Sequence, residues 1–285
     1  MTTEQKHIPV LLSSVLAALG EIRDKTIVDC TFGAGGYSRA FLERGANVIS
    51  FDRDPNVLSD VEHIAAEYPD SFRFIPDTFS HISELDKGID AIVFDLGISS
   101  MQIDIPERGF SFRSDAPLDM RMSSTGITAA ELIATIDTNS LAQILRDYGD
   151  VKRANLLARA LKENQPKTTF ELRNLIHNIK DVAPVFQALR IAVNDEMGEL
   201  QRALCAVPDL LSCGGKCICV TFHSIEDRIV KNKFREWVTP LGDPRMPILQ
   251  PAPFSLIKTS LPDADELSNN TRARSAHMRG VIKSC

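Results

Sequence analysis

The segment Thr26-Ile27-Val28-Asp29-Cys30-Thr31-Phe32-Gly33-Ala34-Gly35-Gly36-Tyr37-Ser38 constrains this chain more than any other. A short apolar run ends in an acid, a glycine-rich turn follows, and an apolar-periodic stretch with Ala40, Phe41 and Leu42 comes next. That order predicts strand, tight turn and helix. Glycines at 33, 35 and 36 let the backbone approach a ligand closely. The helix start presents unpaired N–H groups and the positive end of its dipole. In doubly wound sheets, a turn at the carboxyl end of the first strand is where nucleotide-like ligands bind. The plain alternative is a strand-to-helix turn with no ligand, and three glycines in four positions weigh against it.

The ligand is the next decision. The dinucleotide fingerprint is G-x-G-x-x-G. Gly33 and Gly35 fit its first two glycines, but Ser38 stands at the third. A second strand, Asn47-Val48-Ile49-Ser50-Phe51-Asp52, ends in an acid nineteen residues after Gly33. An acid there accepts hydrogen bonds from ribose hydroxyls. NAD and S-adenosylmethionine both carry that ribose, so Asp52 alone does not discriminate.

The alternation continues. Asp54-Pro55 reads as a helix start, Phe72 to Ile75 as a third strand leading to Asp77-Thr78-Phe79-Ser80, and Asp90 to Asp95 as a fourth strand. Four strands separated by helical or loop segments predict a parallel α/β sheet. Residues 96–126 then lose all period, with Gly97, Pro106, Gly109, Pro117 and Gly126 among many charges. A stretch this long is usually functional or disordered, and Phe110, Phe112, Leu118, Met120 and Met122 can anchor it. It is expected to contact substrate or cofactor. Residues 127–182 are helical in pattern, with capping boxes at Thr128 to Glu131 and Thr168 to Glu171. The expected organisation is a discontinuous sheet domain, 1–104 and 183–285, carrying an inserted helical subdomain, 105–182. After a long or broken helix from Phe186 to Leu211, Cys217 to Phe222 is a fifth strand, and His223 to Arg228 lies at its carboxyl end. Residues 238–270 read as a proline-rich loop and Arg272 to Cys285 as a cationic tail.

Composition narrows the classes. No apolar run approaches the length of a membrane span, and Met1 to Val10 lacks the apolar core of a signal peptide. Six scattered cysteines suggest reduced thiols in a cytoplasmic protein, not a disulfide scaffold. Cys213, Cys217 and Cys219 invite a metal, but Cys217 and Cys219 alternate as strand residues do, so no metal is expected. A net charge of −6 argues against diffuse polyanion binding. Any nucleic-acid site must be local, at Arg228, Lys231, Lys233 and Arg235 or at Arg272, Arg274 and Arg279.

Several strings together resemble the bacterial 16S ribosomal RNA (cytosine-N(4))-methyltransferases, the RsmH or MraW family. They are His7 to Leu12, Asp29 to Ser38, Asp95 to Asp104, Arg108 to Arg113 and Pro117 to Met122. Phe186 to Ile191, Val193-Asn194, Phe222 to Val230 and Arg272 to Ala276 continue the match, so it spans nearly the whole chain in order. Departures are Tyr37 for a usual histidine, Asp150-Val151 for an acidic pair, and Ala183-Pro184-Val185 for a more polar string. The resemblance implies a class I S-adenosylmethionine-dependent methyltransferase, a Rossmann-like α/β sheet with an inserted all-helical subdomain. It implies cofactor contacts at Gly35, Gly36, Tyr37, Asp52, Phe79, Asp95 and Gln102. Gly35 and Gly36 would take the methionine part, Tyr37 would offer its backbone N–H, Asp52 the ribose hydroxyls' acceptor, and Phe79 the side of the adenine. It further implies a cytidine of 16S ribosomal RNA, in the decoding region and within the small ribosomal subunit, as substrate.

The chemistry then needs a particular geometry. A cytosine amino nitrogen is a poor nucleophile because its lone pair is delocalised into the ring. It must lie in line with the methyl donor, beside an acceptor for its hydrogen. Ring-carbon methylation would want a cysteine nucleophile, and none stands in 96–126 or 223–228. Asp119 and His223 are the expected acceptors, with Asp95 and Asn194 behind them. An NAD-dependent dehydrogenase and a non-catalytic RNA-binding protein stay open as other classes, and the oligomeric state, a homodimer included, is open too.

Overall fold

The computed structural model describes residues 9–240 and 250–285. The polar stretch 1–8, with His7 and Ile8 of the first matching string, and residues 241–249 of the proline-rich segment lie outside the described residues. The first elements are α1 (Leu12–Leu19), β1 (Thr26–Asp29), α2 (Gly36–Leu42), β2 (Asn47–Phe51), α3 (Leu58–Glu67), β3 (Phe72–Ile75) and β4 (Ile89–Asp95). Helices α4 (Ser100–Asp104), α5 (Ala129–Thr135), α6 (Thr138–Gly149), α7 (Ala154–Asn164), α8 (Thr169–Asn174) and α9 (Val182–Asn194) follow. The last are α10 (Glu196–Leu210), β5 (Leu211–Thr221), α11 (Ser224–Trp237), β6 (Phe254–Ser260), α12 (Ala264–Asn269) and β7 (His277–Lys283). They form two compact units, one from the chain up to Gly97 and again from Glu199 onward, the other Ile98–Gly198.

The first unit is a seven-stranded sheet in the order β3-β2-β1-β4-β5-β7-β6. Strands β1 to β5 run parallel, β7 is antiparallel to β5, and β6 is antiparallel to β7. The central strands carry near-continuous apolar runs, Ile27-Val28 and Ala91-Ile92-Val93-Phe94, all buried. Helices cover both faces of a parallel sheet, so such strands have no polar side to show. Phe51, Ile92, Phe94, Leu200, Leu204, Val207, Val230 and Phe234 belong to its core. The chain steps outward from β1 to β3 and then returns to the other side of β1 with β4. That reversal opens a crevice outside the carboxyl ends of β1 and β4.

Two expectations for the C-terminal region are corrected. Part of the supposed loop, 238–270, is β6 and α12, and the supposed cationic tail contains β7. The cysteine expectation is corrected as well. Strand β7 pairs Ile282 with Lys216, and continuing that antiparallel register sets Cys213 opposite Cys285. The two form a disulfide with a Cα separation of 4.9 Å. Cys30, Cys205, Cys217 and Cys219 are free thiols. Among the described residues no helix is long and apolar enough to cross a membrane.

The second unit is helical. Ile133, Leu141, Leu145, Ala158, Leu161, Leu172, Val185 and Leu189 fill its core. It extends past 105–182 at both ends, because α9 packs Val185, Phe186 and Leu189 into that core. Thr128 and Glu131 cap α5 reciprocally, and Lys162 Nζ donates to the carbonyls of Ile133, Ala134 and Ile136 at its other end. The aperiodic stretch is held by its apolar residues: Leu118, Met120 and Met122 are buried, and Phe112 packs edge-on to Phe186. Asn194 adds a polar clamp. Its Oδ1 accepts from Met122 N–H at 2.7 Å, and its Nδ2 donates to Met120 O at 2.7 Å, around a Met120 held at φ 62°.

Candidate active site

The acid that ends β1 sets the first layer of the crevice. Asp29 is fully buried, and burial raises its pKa above the ordinary value. Ser38 Oγ donates to Asp29 Oδ2 at 2.6 Å and also meets Ser50 Oγ at 2.6 Å. Ser38 is the residue that breaks the dinucleotide fingerprint. Here a hydroxyl, not a glycine, is what ties α2 to β1 and β2. Ser38→Ala should therefore strip the hydroxyl donor from a buried carboxylate, at a cost of about 1–3 kcal/mol. In a domain this size that lowers the melting temperature by about 2–4 °C per kcal/mol. An unchanged thermal melt would show that Asp29 does not need the serine.

The glycine turn is shaped by its neighbours. Gly35 sits at φ +74°, where a Cβ would lie 2.6 Å from Ile64 Cδ1. A Cβ on Gly36 would lie 2.4 Å from Pro9 Cγ. Both positions are closed to side chains. The N-cap residue Gly35 has no side chain to cap α2, which leaves the Gly36 and Tyr37 N–H groups suited to an anionic ligand group, while Ser38 N–H bonds Asp29. Tyr37 is buried beside Phe41, and its hydroxyl donates to Val10 O. The tyrosine thus fastens the segment before α1 to the turn.

Asp52 follows β2. Its Oδ2 accepts from Gly33 N–H at 2.9 Å and its Oδ1 from Asp54 N–H at 2.9 Å. Burial pushes its carboxyl up to about 6. Phe79 leads the short helical turn after β3 and stands edge-on to Phe94, ring centres 5.7 Å apart. The flanking hydroxyls of Thr78 and Ser80 meet at 2.9 Å. Burial opposes it, but hydrogen bonds from Ser80, Thr78 and Arg202 bring Glu199 below its ordinary pKa, so this carboxylate braces the Phe79 turn.

Asp95, at the end of β4, is the unusual group. Its N–H donates to Thr31 Oγ1 at 2.8 Å, yet its carboxylate Oδ1 is buried with no hydrogen-bond partner. Burial, then Asp29, then Glu226 raise its pKa well above the ordinary value. A buried acceptor without a donor costs stability unless a ligand supplies one. Asp29, Asp95 and Glu226 together favour a cationic ligand. S-adenosylmethionine carries a sulfonium and an ammonium, and its ribose diol suits Asp52, so the residues present fit that group.

The other expected site residues have different work. Gln102 belongs to the second unit, where it closes a capping box at the start of α4: Ser99 N–H donates to its Oε1 at 3.1 Å. Asp119, also in that unit, accepts from Arg121 Nε at 2.8 Å and Nη2 at 2.7 Å. Partial burial raises its pKa, but the Arg121 hydrogen bonds outweigh that and hold it below the ordinary value. His223 is the N-cap of α11. Its Nδ1 accepts from Glu226 N–H at 3.4 Å, and its Nε2 lies 2.9 Å from Glu226 Oε1, outside hydrogen-bonding geometry. The Nδ1 lone pair is thereby directed at the helix cap. Asn194 is spent on the Met120–Met122 backbone. So Gly35, Gly36, Tyr37, Asp52, Phe79 and Asp95 gather in the sheet unit, while Gln102 and Asp119 lie in the other. Glu199 and Glu226 were missed, although Glu226 falls at the third position of a helix start, where capping acids occur.

The family model of the MraW methylases matches residues 4–284. The chain belongs to the MraW methylase family. It is a class I S-adenosylmethionine-dependent methyltransferase with a Rossmann-like α/β sheet. A protein named ribosomal RNA small subunit methyltransferase H from Sinorhizobium fredii is 43% identical over 298 residues, covering 98% of this chain and 87% of its own. One of the same name from Rickettsia bellii is 40% identical over 303 residues, covering 98% and 99%. The crystal structure of an rRNA methylase from Streptococcus thermophilus aligns over 96% of this chain and 95% of its own, with a TM-score of 0.45 and 13% identity.

Proposed function

We propose that this enzyme methylates the exocyclic amino nitrogen of a cytidine in the decoding region of 16S ribosomal RNA, presented by the small ribosomal subunit in the cytoplasm. Its relatives' names support ribosomal RNA as the substrate. The unpartnered Asp95 oxygen carries the choice of atom. S-adenosylmethionine supplies an electrophilic methyl group. Asp95 supplies a buried acceptor that draws an amino hydrogen away as the nitrogen attacks. Sulfur chemistry finds no support, because burial raises the Cys30 and Cys219 thiols well above their ordinary values. The target base must leave its stack for the amine to reach the methyl. We assign presentation of that base to the helical unit, Ile98–Gly198.

The test is methylation of unmodified small subunits by the purified enzyme, followed by nucleoside analysis. N(4)-methylcytidine is expected, and a ring-carbon methylcytidine would overturn the reading. Asp119 and His223 act in this account by positioning. His223→Ala should cost about 0.5–2 kcal/mol as a lost N-cap. Asp119→Asn should loosen the Arg121 contact. Each should keep the single-turnover rate within about tenfold of the parent, whereas a lost general base costs about 100-fold or more. A drop of that larger size would return the acceptor role to that residue.

A further inference from the structure

A groove of about 260 Å³ runs between α11 and the β6–β7 ribbon, away from the strand-end crevice. Its lining includes Lys231, Arg235, Val238, Leu256, Ile257 and Thr259. It is smaller than the roughly 300–1,000 Å³ of a small-molecule site, which suits part of a polymer better than a whole metabolite. Its floor is apolar, and Leu256 is 66% exposed.

The rim is cationic, and its charges are uncompensated among the described residues. On α11, Arg228, Lys231 and Arg235 follow the spacing of one helix face and are all exposed. None of these three side chains has an ion pair or hydrogen bond among the described residues. The nearby acids are taken. Asp227 is held by Arg279 Nε at 2.7 Å and Nη2 at 2.9 Å. Glu236 is held by Lys233 Nζ at 3.1 Å. Lys233 therefore drops out of the basic cluster expected on this helix, and Arg279 out of the cationic tail. In a chain of net charge −6, Lys231 and Arg235, unpaired among the described residues and set above an apolar floor, are a specific local feature. A groove that tracks a phosphate backbone with cations and rests bases on an apolar surface is the usual way to hold a single strand. An anionic membrane would need a broad convex face, not a concavity.

We propose that this groove binds a single-stranded segment of the substrate RNA outside the methylated nucleotide, with phosphodiesters on Lys231 and Arg235 and a base against Leu256 and Ile257. The proposal rests on the ribosomal RNA reading. It makes the groove a second anchor, which sets affinity for the RNA and not the rate of transfer.

The test compares the full-length enzyme with the Lys231→Gln/Arg235→Gln double variant and with Leu256→Ser. One probe is a short fluorescein-labelled single-stranded RNA, titrated across salt concentrations. The double variant should flatten the log–log salt slope by about 1.4, from two lost phosphate contacts at about 0.7 each. Leu256→Ser should weaken binding several-fold and leave the slope alone. On small subunits, KM should rise about tenfold in the double variant with kcat and adenosylhomocysteine affinity unchanged, the factor expected from these lost contacts at moderate salt. An unchanged slope and KM would overturn the proposal. So would loss of binding to anionic lipid vesicles, or of self-association, with the RNA slope intact. Wild-type transfer to small subunits tests the substrate reading separately, because the slope is read without turnover.

Discussion

Asp95→Asn should slow single-turnover methyl transfer by about 100- to 10,000-fold at saturating cofactor. The substitution keeps the shape of the side chain and removes its ability to take a proton. The carboxylate Oδ1 has no hydrogen-bond partner, so the amide breaks no existing bond there. Transfer needs the ionised carboxylate. Burial and the neighbouring Asp29 and Glu226 raise its pKa, so the parent rate should climb as pH rises through that raised value. The variant should show no such limb. Stability should move the other way. The folded pKa lies above the unfolded one, so the stability linked to Asp95 is fully present below the unfolded value and is lost as pH rises through the folded one. At neutral pH the ionised group costs stability in the cofactor-free enzyme, and Asp95→Asn should melt higher than the parent. Slower and more stable together mark a group kept for chemistry. Stopped single-turnover assays and thermal melts check both halves. Parent-rate transfer in the variant would move the acceptor elsewhere.

Asp52→Ala should weaken adenosylhomocysteine binding by about 1–3 kcal/mol, or about 5- to 150-fold. The Asp52 carboxylate is fixed by the Gly33 and Asp54 N–H groups, and we propose that it takes the ribose hydroxyls. Its pKa, pushed up to about 6 by burial, adds a pH signature. The ionised form accepts hydroxyl donors better, so parent affinity should be flat above neutrality and fall as pH drops through about 6. In Asp52→Ala that fall should vanish. Calorimetry across this range checks it, and an identical profile in the two proteins would remove Asp52 from the ribose site.

The sheet unit was legible wherever a local pattern tracked a local cause. The turn from Gly33 to Ser38, the acids ending β1, β2 and β4, and the Asp54 cap are each decided within a few residues. Strand β7 was not legible because its charges are answered far away. Arg279 pairs Asp227, and Lys283 Nζ donates to the carbonyls of Pro208 and Leu211. Read locally, those residues look like a cationic tail. The same cause hid the disulfide, since only the β5–β7 register brings Cys213 to Cys285. His223 and Asp119 carried the right chemistry for a base but are engaged by near neighbours, Glu226 and Arg121. Asp95 looked like one strand-end acid among several, and only the fold shows that one of its oxygens has no donor.

The central claim is methyl transfer to a cytidine amino group through Asp95. The most direct measurement is nucleoside and fragment mass spectrometry of 16S ribosomal RNA from cells lacking the gene, complemented with the parent or with Asp95→Asn. The account predicts an N(4)-methylated cytidine in the decoding region with the parent, and its loss in the deletion and in the Asp95→Asn strain. The same modification level in all three strains would contradict it.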